Sequence, residues 1–228
     1  MNGAVRALLA QAVEIGRKDL RAELRSGEAL LVAAPFGATA LLLVPLAVGA
    51  DVPLLRQLGP GMFWLVVLLF GTLVTLRQTA VDGHAQRELL ALLGVDPAAR
   101  FLGRTAASAV LLLGFQAGLA PVVIVLYDPG LAGWPWLVAL APPVAVGLAA
   151  LGTLAGALTA NLQARHTLAP LLVAPLSLPL LLGATQVLEG TRYGRSNAPW
   201  VLLVLAMDLV VVLAGAASAR SLEEVGPP

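Results

Sequence analysis

The chain has 228 residues, of which 59% are apolar and 12% are charged, and its formal net charge is +1. A soluble all-α domain of this length needs far more polar surface, so the composition argues against that class and favours an integral membrane protein. The absence of cysteine excludes disulfides, thiol redox chemistry, cysteine metal sites and c-type haem attachment. The net charge says nothing about nucleic acid, and no nucleic-acid partner is expected.

The first 28 residues form a charged leader with an amphipathic segment, VEIGRKDLRAELR, at residues 13–25. At 100° per residue, one face of a helix would carry Val13, Gly16, Leu20 and Leu24, and another would carry Glu14, Lys18, Arg21 and Arg25. Such a helix lies along a membrane surface. We therefore predict an interfacial elbow helix at about residues 13–27, with a solvated charged leader as the alternative. The following apolar run lacks a small-residue cleavage site at its end, so we expect it to remain as a span.

Six runs with almost no charge follow the leader. They lie between residues 28 and 51, 56 and 77, 104 and 128, 128 and 165, 165 and 189, and from 196 to 219. Roughly 20 helical residues, at about 1.5 Å of rise each, cross a hydrocarbon core of about 30 Å. The sequence therefore predicts an all-α integral membrane protein with six transmembrane helices, in a single domain that covers residues 1–228.

Basic residues fall mostly on one side of these six spans. If the N-terminus is cytoplasmic, the outside loops carry only Arg56, Arg192 and Arg195. The inside segments carry Arg6, Arg17, Lys18, Arg21, Arg25, Arg77, Arg87, Arg100, Arg104, Arg165 and Arg220. This asymmetry follows the positive-inside rule, so we predict that both termini are cytoplasmic.

The largest polar segment between spans covers about residues 77–104 and reads RQTAVDGHAQRELLALLGVDPAARFLGR. Its leucines stand in a charged setting between Asp82-Gly83 and Asp96-Pro97, two pairs that stop or start helices. A short apolar-faced helix outside the membrane needs a partner to cover it. We predict that this segment couples to a cytoplasmic ATPase; a lid on its own bundle is the alternative. The proposed coupling residues are Asp82, Gly83, Glu88, Leu89, Leu92, Leu93 and Asp96.

The later spans contain two packing features. The fourth span holds Gly152 and Gly156 at small-xxx-small spacing, which we interpret as a helix-packing face. The fifth span holds Pro170, Pro175 and Pro179, each of which removes a backbone donor and favours a kink.

Asp208 is the one acidic residue well inside a predicted span. A carboxylate near the bilayer midplane is costly, so it should face a polar interior, pair with another group or be protonated. Two roles stay open: a place on a functional pathway, and a structural hydrogen bond between helices for which Gln116 and Gln186 are possible partners.

The chain lacks the residue patterns of an enzyme. Its single lysine, Lys18, has no G-x-x-x-x-G-K-[ST] motif around it, so any ATP hydrolysis must occur on another polypeptide. His84 and His166 are not at helical metal-ligand spacing, and no metal site, catalytic set or resident cofactor is expected. Six spans, an elbow and a docking loop describe the permease half of a transporter.

Several segments, in order, also match a known family. They are KDLRAELRSGE at residues 18–28, PGMFW at 60–64, Glu88 with the two leucines after it, Val95-Asp96, FLGR at 101–104, Gly152-Thr153, Asn161, Ala164-Arg165, the proline-rich stretch from Pro170 to Pro179, Asp208 and LEE at 222–224. Over about residues 14–224 the chain resembles the haem exporter permease subunit of bacterial cytochrome c maturation, protein B of that system. It departs from the family at Gly94, where a proline is usual, and at Gln86-Arg87, which replace a more apolar pair.

The resemblance implies a six-helix permease of the ABC exporter type in the bacterial inner membrane. It further implies a separate ABC ATPase subunit that binds ATP, a haem-handling multi-span membrane subunit, a small single-span subunit, and haem as the substrate of the complex. The alternatives are a permease for a lipid-linked glycan or a drug, and a non-transporting scaffold that relays the state of the ATPase. A membrane enzyme such as a lipid transferase would require clustered acids or a histidine–acid set, which the sequence lacks.

Overall fold

The computed structural model describes residues 2–49, 51–80, 94–128, 133–159 and 165–224. The helices in these ranges are α1 (Asn2–Ser26), α2 (Glu28–Val48), α3 (Val52–Ala80), α4 (Pro97–Tyr127), α5 (Trp134–Thr159), α6 (Arg165–Arg192) and α7 (Ala198–Glu224). Helices α2 to α7 each contain a segment long and apolar enough to cross a membrane. Within the described residues, the prediction of an all-α fold with six spans behind one N-terminal helix is confirmed.

Local chemistry explains where α1 ends and where α4 begins. Gly27, between α1 and α2, has a φ of 61°, a left-handed conformation that glycine adopts without a Cβ penalty. Asp96 caps α4 by accepting a hydrogen bond from the backbone N of Ala98 at 2.8 Å, and Pro97 occupies the first turn, where its missing N–H is not needed. The expectation that Asp96-Pro97 starts a helix is thus confirmed.

Two boundaries differ from the sequence prediction. Helix α1 begins at Asn2 rather than near residue 13, because the preceding alanine- and leucine-rich stretch also favours a helix. The polar segment predicted at 77–104 is shorter, since α3 continues to Ala80 and α4 begins at Pro97. Residues 81–93 lie outside the described residues, and with them Asp82, Gly83, His84, Glu88, Leu89, Leu92 and Leu93.

Helices α4 and α5 form the centre of the bundle. Helix α4 contacts α1, α2, α3, α5 and α7, and α5 contacts α3, α4, α6 and α7. Their buried side chains join those of the other spans in one core, whose largest members are Trp64, Tyr127, Phe63 and Phe115. Phe63 and Trp64 of the PGMFW segment pack together, with ring centroids 4.8 Å apart. The PGMFW segment therefore contributes side chains to the hydrophobic core.

The outer surface of the bundle is apolar. Helix α2, which packs on α3 and α4, exposes Leu31, Phe36, Leu43 and Leu46, and α6 and α7 expose further leucines and valines. Apolar surface on this scale suits a lipid environment and not water.

The two ends of the bundle differ in their contacts. Helix α1 lies at one end, beside the start of α4, and we call this the elbow end. At the far end Arg56 of α3 pairs with Asp128 after α4, and the Tyr127 hydroxyl donates to the Leu41 carbonyl of α2 at 2.8 Å. Because successive spans alternate in direction, Arg192 and Arg195 also lie at the far end, where both stack against Tyr193.

Candidate functional site

Helix α1 crosses α4 in direct backbone contact. A Cβ added to Gly16 would lie 2.9 Å from the carbonyl oxygen of Gly103, and one added to Gly103 would lie 2.6 Å from that of Ala12. Neither position has room for a side chain. The elbow helix is therefore fixed to the third span through a pair of facing glycines.

The rest of α1 presents two further faces. An apolar stripe of Val5, Leu9, Val13 and Leu24 is exposed. A charged face next to it consists of Glu14, Arg17, Lys18, Arg21 and Arg25, which line a depression in the surface. The order of packed, apolar and charged faces around one helix suits a position at a membrane surface.

The four residues predicted to share one apolar face of this helix have two different environments in the structure. Gly16 is buried and Leu20 half-buried toward the bundle, whereas Val13 and Leu24 are exposed. The periodicity identified an amphipathic helix but could not separate residues that face protein from residues that face lipid, because both are apolar.

Asp96 joins three helices at the elbow end. Besides capping α4, its backbone N donates to Gln11 Oε1 of α1 at 3.2 Å, and its side chain accepts a hydrogen bond from Arg220 Nη2 of α7 at 3.1 Å. Burial acts to raise the pKa of this carboxyl, but the bonds from Arg220 and Ala98 outweigh it and hold the pKa below the usual 3.8. The junction also fixes the end of the segment predicted to couple to an ATPase; that role for Asp96 stays a prediction.

Asp208 lies inside the bundle and not toward lipid. Its side chain is 9% exposed and points at Gly147 of α5, where an added Cβ would overlap Asp208 Oδ1 and would also lie 2.7 Å from Leu180 Cδ2 of α6. Within the described residues Oδ1 has no hydrogen-bond partner, and neither Gln116 nor Gln186 bonds to it. The carboxyl therefore occupies an apolar site between three helices, which provides no structural hydrogen bond for Oδ1.

Gln116 occupies a second, separate position. It is 2% exposed, and neither its amide nitrogen nor its amide oxygen has a partner among the described residues. Its side chain lines a groove between α4 and α5. The sequence suggested Gln116 as a possible partner of Asp208, and it contained no signal for this groove.

The structure tests the packing feature predicted for α5, whereas the kink predicted for α6 stays a prediction. A Cβ on Gly152 would overlap the Thr75 hydroxyl of α3, so the interpretation of Gly152 as a packing position is confirmed. Helix α6 runs from Arg165 to Arg192 through Pro170, Pro175 and Pro179.

Among the described residues no group of three His, Asp or Glu could hold a metal ion.

Comparison with known proteins places this geometry in a family context. The family model described as "CcmB protein" matches residues 10–224. A protein of Bradyrhizobium diazoefficiens named "Heme exporter protein B" is 31% identical over 215 residues, which covers 90% of this chain and 94% of the relative. A protein of Haemophilus influenzae with the same name is 30% identical over 188 residues, which covers 78% of this chain and 80% of the relative.

Proposed function

The chain belongs to the CcmB protein family, and on that premise we propose that it is the membrane permease subunit of an ABC transporter complex for cytochrome c biogenesis. The family match over residues 10–224, on a chain with six spans, is the observation that carries the proposal. Both relatives are named heme exporters, so haem is the proposed substrate of the complex. Its proposed partners are the ATPase, a haem-handling multi-span subunit and a small single-span subunit.

ATP hydrolysis is assigned to the separate ATPase and not to this chain. The only lysine, Lys18, lies on the charged face of α1, with Nζ 3.5 Å from Asp19 Oδ1. A phosphate-binding loop would place its lysine in a glycine-rich turn before a helix, which is a different setting. Purified alone, the chain should therefore show no ATP hydrolysis above a contaminant control; activity that persists in Lys18→Ala would contradict the assignment.

The segment from Asp82 to Asp96 is proposed as the contact with the ATPase. The junction at Asp96 supports this assignment, because a movement of the segment would reach α1 through Gln11 and α7 through Arg220. Nucleotide-driven motion of the ATPase would thus be passed to the elbow and to the sixth span together.

The docking assignment is tested with Leu89→Asp and Leu92→Asp. Burying a leucine at an interface contributes about 1.5–3 kcal/mol, so each substitution should weaken ATPase binding by about 10–100-fold. Leu90→Asp, in the same segment but outside the proposed set, is the matched control. Co-purification of the ATPase with the tagged chain is the measurement. Equal recovery with all three variants would remove the assignment.

The function itself is tested in a host whose own gene for this chain has been deleted. We expect periplasmic c-type cytochromes to lose covalent haem, measured by haem staining of denatured protein, and to regain it when the chain is restored. Normal haem attachment in the deletion strain would refute the proposal.

The proposed location is the bacterial inner membrane, with both termini in the cytoplasm. The elbow end carries the charged face of α1 and Arg220, whereas Arg56, Arg192 and Arg195 lie at the far end. Under the positive-inside rule the elbow end is the cytoplasmic one. A C-terminal alkaline phosphatase fusion should be inactive and a C-terminal green fluorescent protein fusion bright; the reverse pattern would invert the topology.

A further inference from the structure

The basic side chains of α1 point away from the bundle. Gly16 marks the side of the helix that packs on α4. At about 100° per residue, the rotation from Gly16 is about 80° to Leu24, about 100° to Arg17, about 140° to Arg21 and about 180° to Arg25. The charged face of α1 therefore lies opposite the packed side, and the apolar stripe lies along one edge of it.

Two of the three acids on α1 face the bundle instead. Asp19 and Glu23 are half-buried, and the Asp19 carboxylate attracts the Arg104 guanidinium of α4. Glu14 stays on the charged face, with Oε1 3.8 Å from Arg17 Nη1, and both side chains are exposed. Because such an exposed pair interacts weakly, the charged face keeps a positive field, with four basic side chains against one acid.

Helix α1 lies at the level where the apolar part of the bundle begins. It crosses α4 at Gly103, and after Arg104 no charged residue follows in the sequence until Asp128, beyond the end of α4. On α2, Leu31 is 73% exposed only six residues after Arg25. Since exposed leucines suit hydrocarbon, the charged face lies next to the hydrocarbon boundary, at the depth of the lipid headgroups.

We propose that the charged face of α1 binds the headgroups of anionic phospholipids in the adjacent leaflet, whose acyl chains cover the apolar stripe. Basic side chains beside apolar residues on an interfacial helix are attracted to the phosphates of an anionic leaflet. The inference depends on the membrane position of α1 and on neither haem nor the ATPase.

Protein partners fit this face less well. A second copy of the chain offers no matching acidic surface among the described residues of the elbow end. There, Asp19 and Glu23 face the bundle, Asp96 is bonded to Arg220, and Glu14 lies on the positive face itself. A soluble ATPase would approach the elbow end from water, whereas the charged face points sideways, beside residues that meet hydrocarbon.

A small anionic ligand also fits less well. Every described residue that lines the depression on the charged face belongs to α1, so no second helix encloses a ligand. Small molecules bind in concave sites that bury most of their surface. A layer of headgroups needs contact on one side only, which is what this face provides.

The test measures which lipids lie beside α1. Because the chain has no cysteine, Leu24→Cys creates a single site for a fluorescent label on the apolar stripe. The labelled full-length chain is reconstituted in phosphatidylcholine vesicles that contain a small, equal fraction of spin-labelled phosphatidylglycerol or spin-labelled phosphatidylcholine. Leu171→Cys is the control position, because Leu24 is 62% and Leu171 67% exposed, and α6 contacts neither α1 nor α4. We expect phosphatidylglycerol to quench at least about twofold more strongly at position 24, and both lipids to quench equally at position 171.

Three sets of substitutions on the charged face separate charge from packing. Glutamine at Arg17, Arg21 and Arg25 together should lower the quenching ratio of the two lipids to about one. Lysine at the same three positions keeps the charge and should keep the preference. Glu14→Gln removes the acid of the face and should raise the ratio. Quenching by phosphatidylcholine should stay unchanged in all three sets, because α1 remains packed on α4.

Several results would overturn the proposal. They are equal quenching by both lipids in the unaltered chain, a preference that survives the glutamine set, and a loss as large with lysine as with glutamine. An equal fall in quenching by both lipids would show that the arginines hold α1 to the bundle and not to anionic headgroups. Loss of ATPase co-purification with the glutamine set, at an unchanged lipid preference, would assign the face to the ATPase. The vesicles contain neither ATPase nor haem, so the proposed function is tested separately by haem staining.

Discussion

Replacing Gly147 with alanine tests the contact between α5 and the buried acid of α7. The new Cβ would overlap Asp208 Oδ1 and lie 2.7 Å from Leu180 Cδ2. Because carbon contacts are normally about 3.5–4.0 Å, the helices must separate by roughly 1 Å or the two side chains must leave their rotamers. Overpacking of this kind costs about 1–3 kcal/mol. At about 2–4 °C per kcal/mol for a chain of this length, the melting temperature should fall by about 2–12 °C.

The control is Gly61→Ala, because a Cβ at that position meets nothing within 4 Å. Alanine is favoured over glycine inside a helix by about 0.8–1.0 kcal/mol, so this variant should be as stable as the parent or more stable. Thermal unfolding of detergent-purified protein, followed by tryptophan fluorescence, measures both variants under the same conditions.

A double substitution identifies Asp208 as the cause of the loss. In an Asp208→Ala background the carboxyl no longer occupies the space, so Gly147→Ala should cost measurably less than in the parent, with a coupling energy of about 0.5–3 kcal/mol. If Gly147→Ala and Gly61→Ala have the same stability, or if Gly147→Ala lowers the stability equally in both backgrounds, Asp208 does not pack against α5 as described.

Three further outcomes are expected. Asp208→Asn keeps the shape of the side chain but removes its charge. Since Oδ1 bonds to no described residue, we expect this variant to assemble normally but to lose cytochrome c maturation, measured by haem staining. Full maturation would show that the charge is not needed. Gly103→Ala places a Cβ 2.6 Å from the Ala12 carbonyl oxygen, so α1 should detach, which increases amide hydrogen exchange along α1 but leaves α5 unchanged. Arg220→Gln removes the partner that helps to lower the pKa of Asp96. A carboxyl with a depressed folded pKa stabilises the protein above its unfolded pKa and loses that contribution as the pH falls through the folded value. The variant should therefore be less stable than the parent at pH 7, and the difference should shrink as the pH falls below about 4. A difference that does not change with pH would contradict the pairing.

The sequence alone determined the features that depend on the solvent and on local chemistry. Six runs with almost no charge predicted six spans, because in hydrocarbon every backbone polar group must be bonded within a helix. Asp96-Pro97 predicted the start of α4, because capping depends on residues next to each other in the chain. The order of short motifs along the chain also indicated the family, although each motif alone was weak.

Contacts between distant residues were decided only by the tertiary structure. The sequence suggested Gln116 or Gln186 as partners for Asp208, but packing places Asp208 against Gly147 and Gln116 in a separate groove. The pairing of Asp96 with Arg220, 124 positions apart in the chain, left no local signal. In a chain whose spans are apolar on every side, hydrophobic periodicity cannot tell the face of a helix that meets protein from the face that meets lipid, and only the rotation of each helix in the bundle makes that choice.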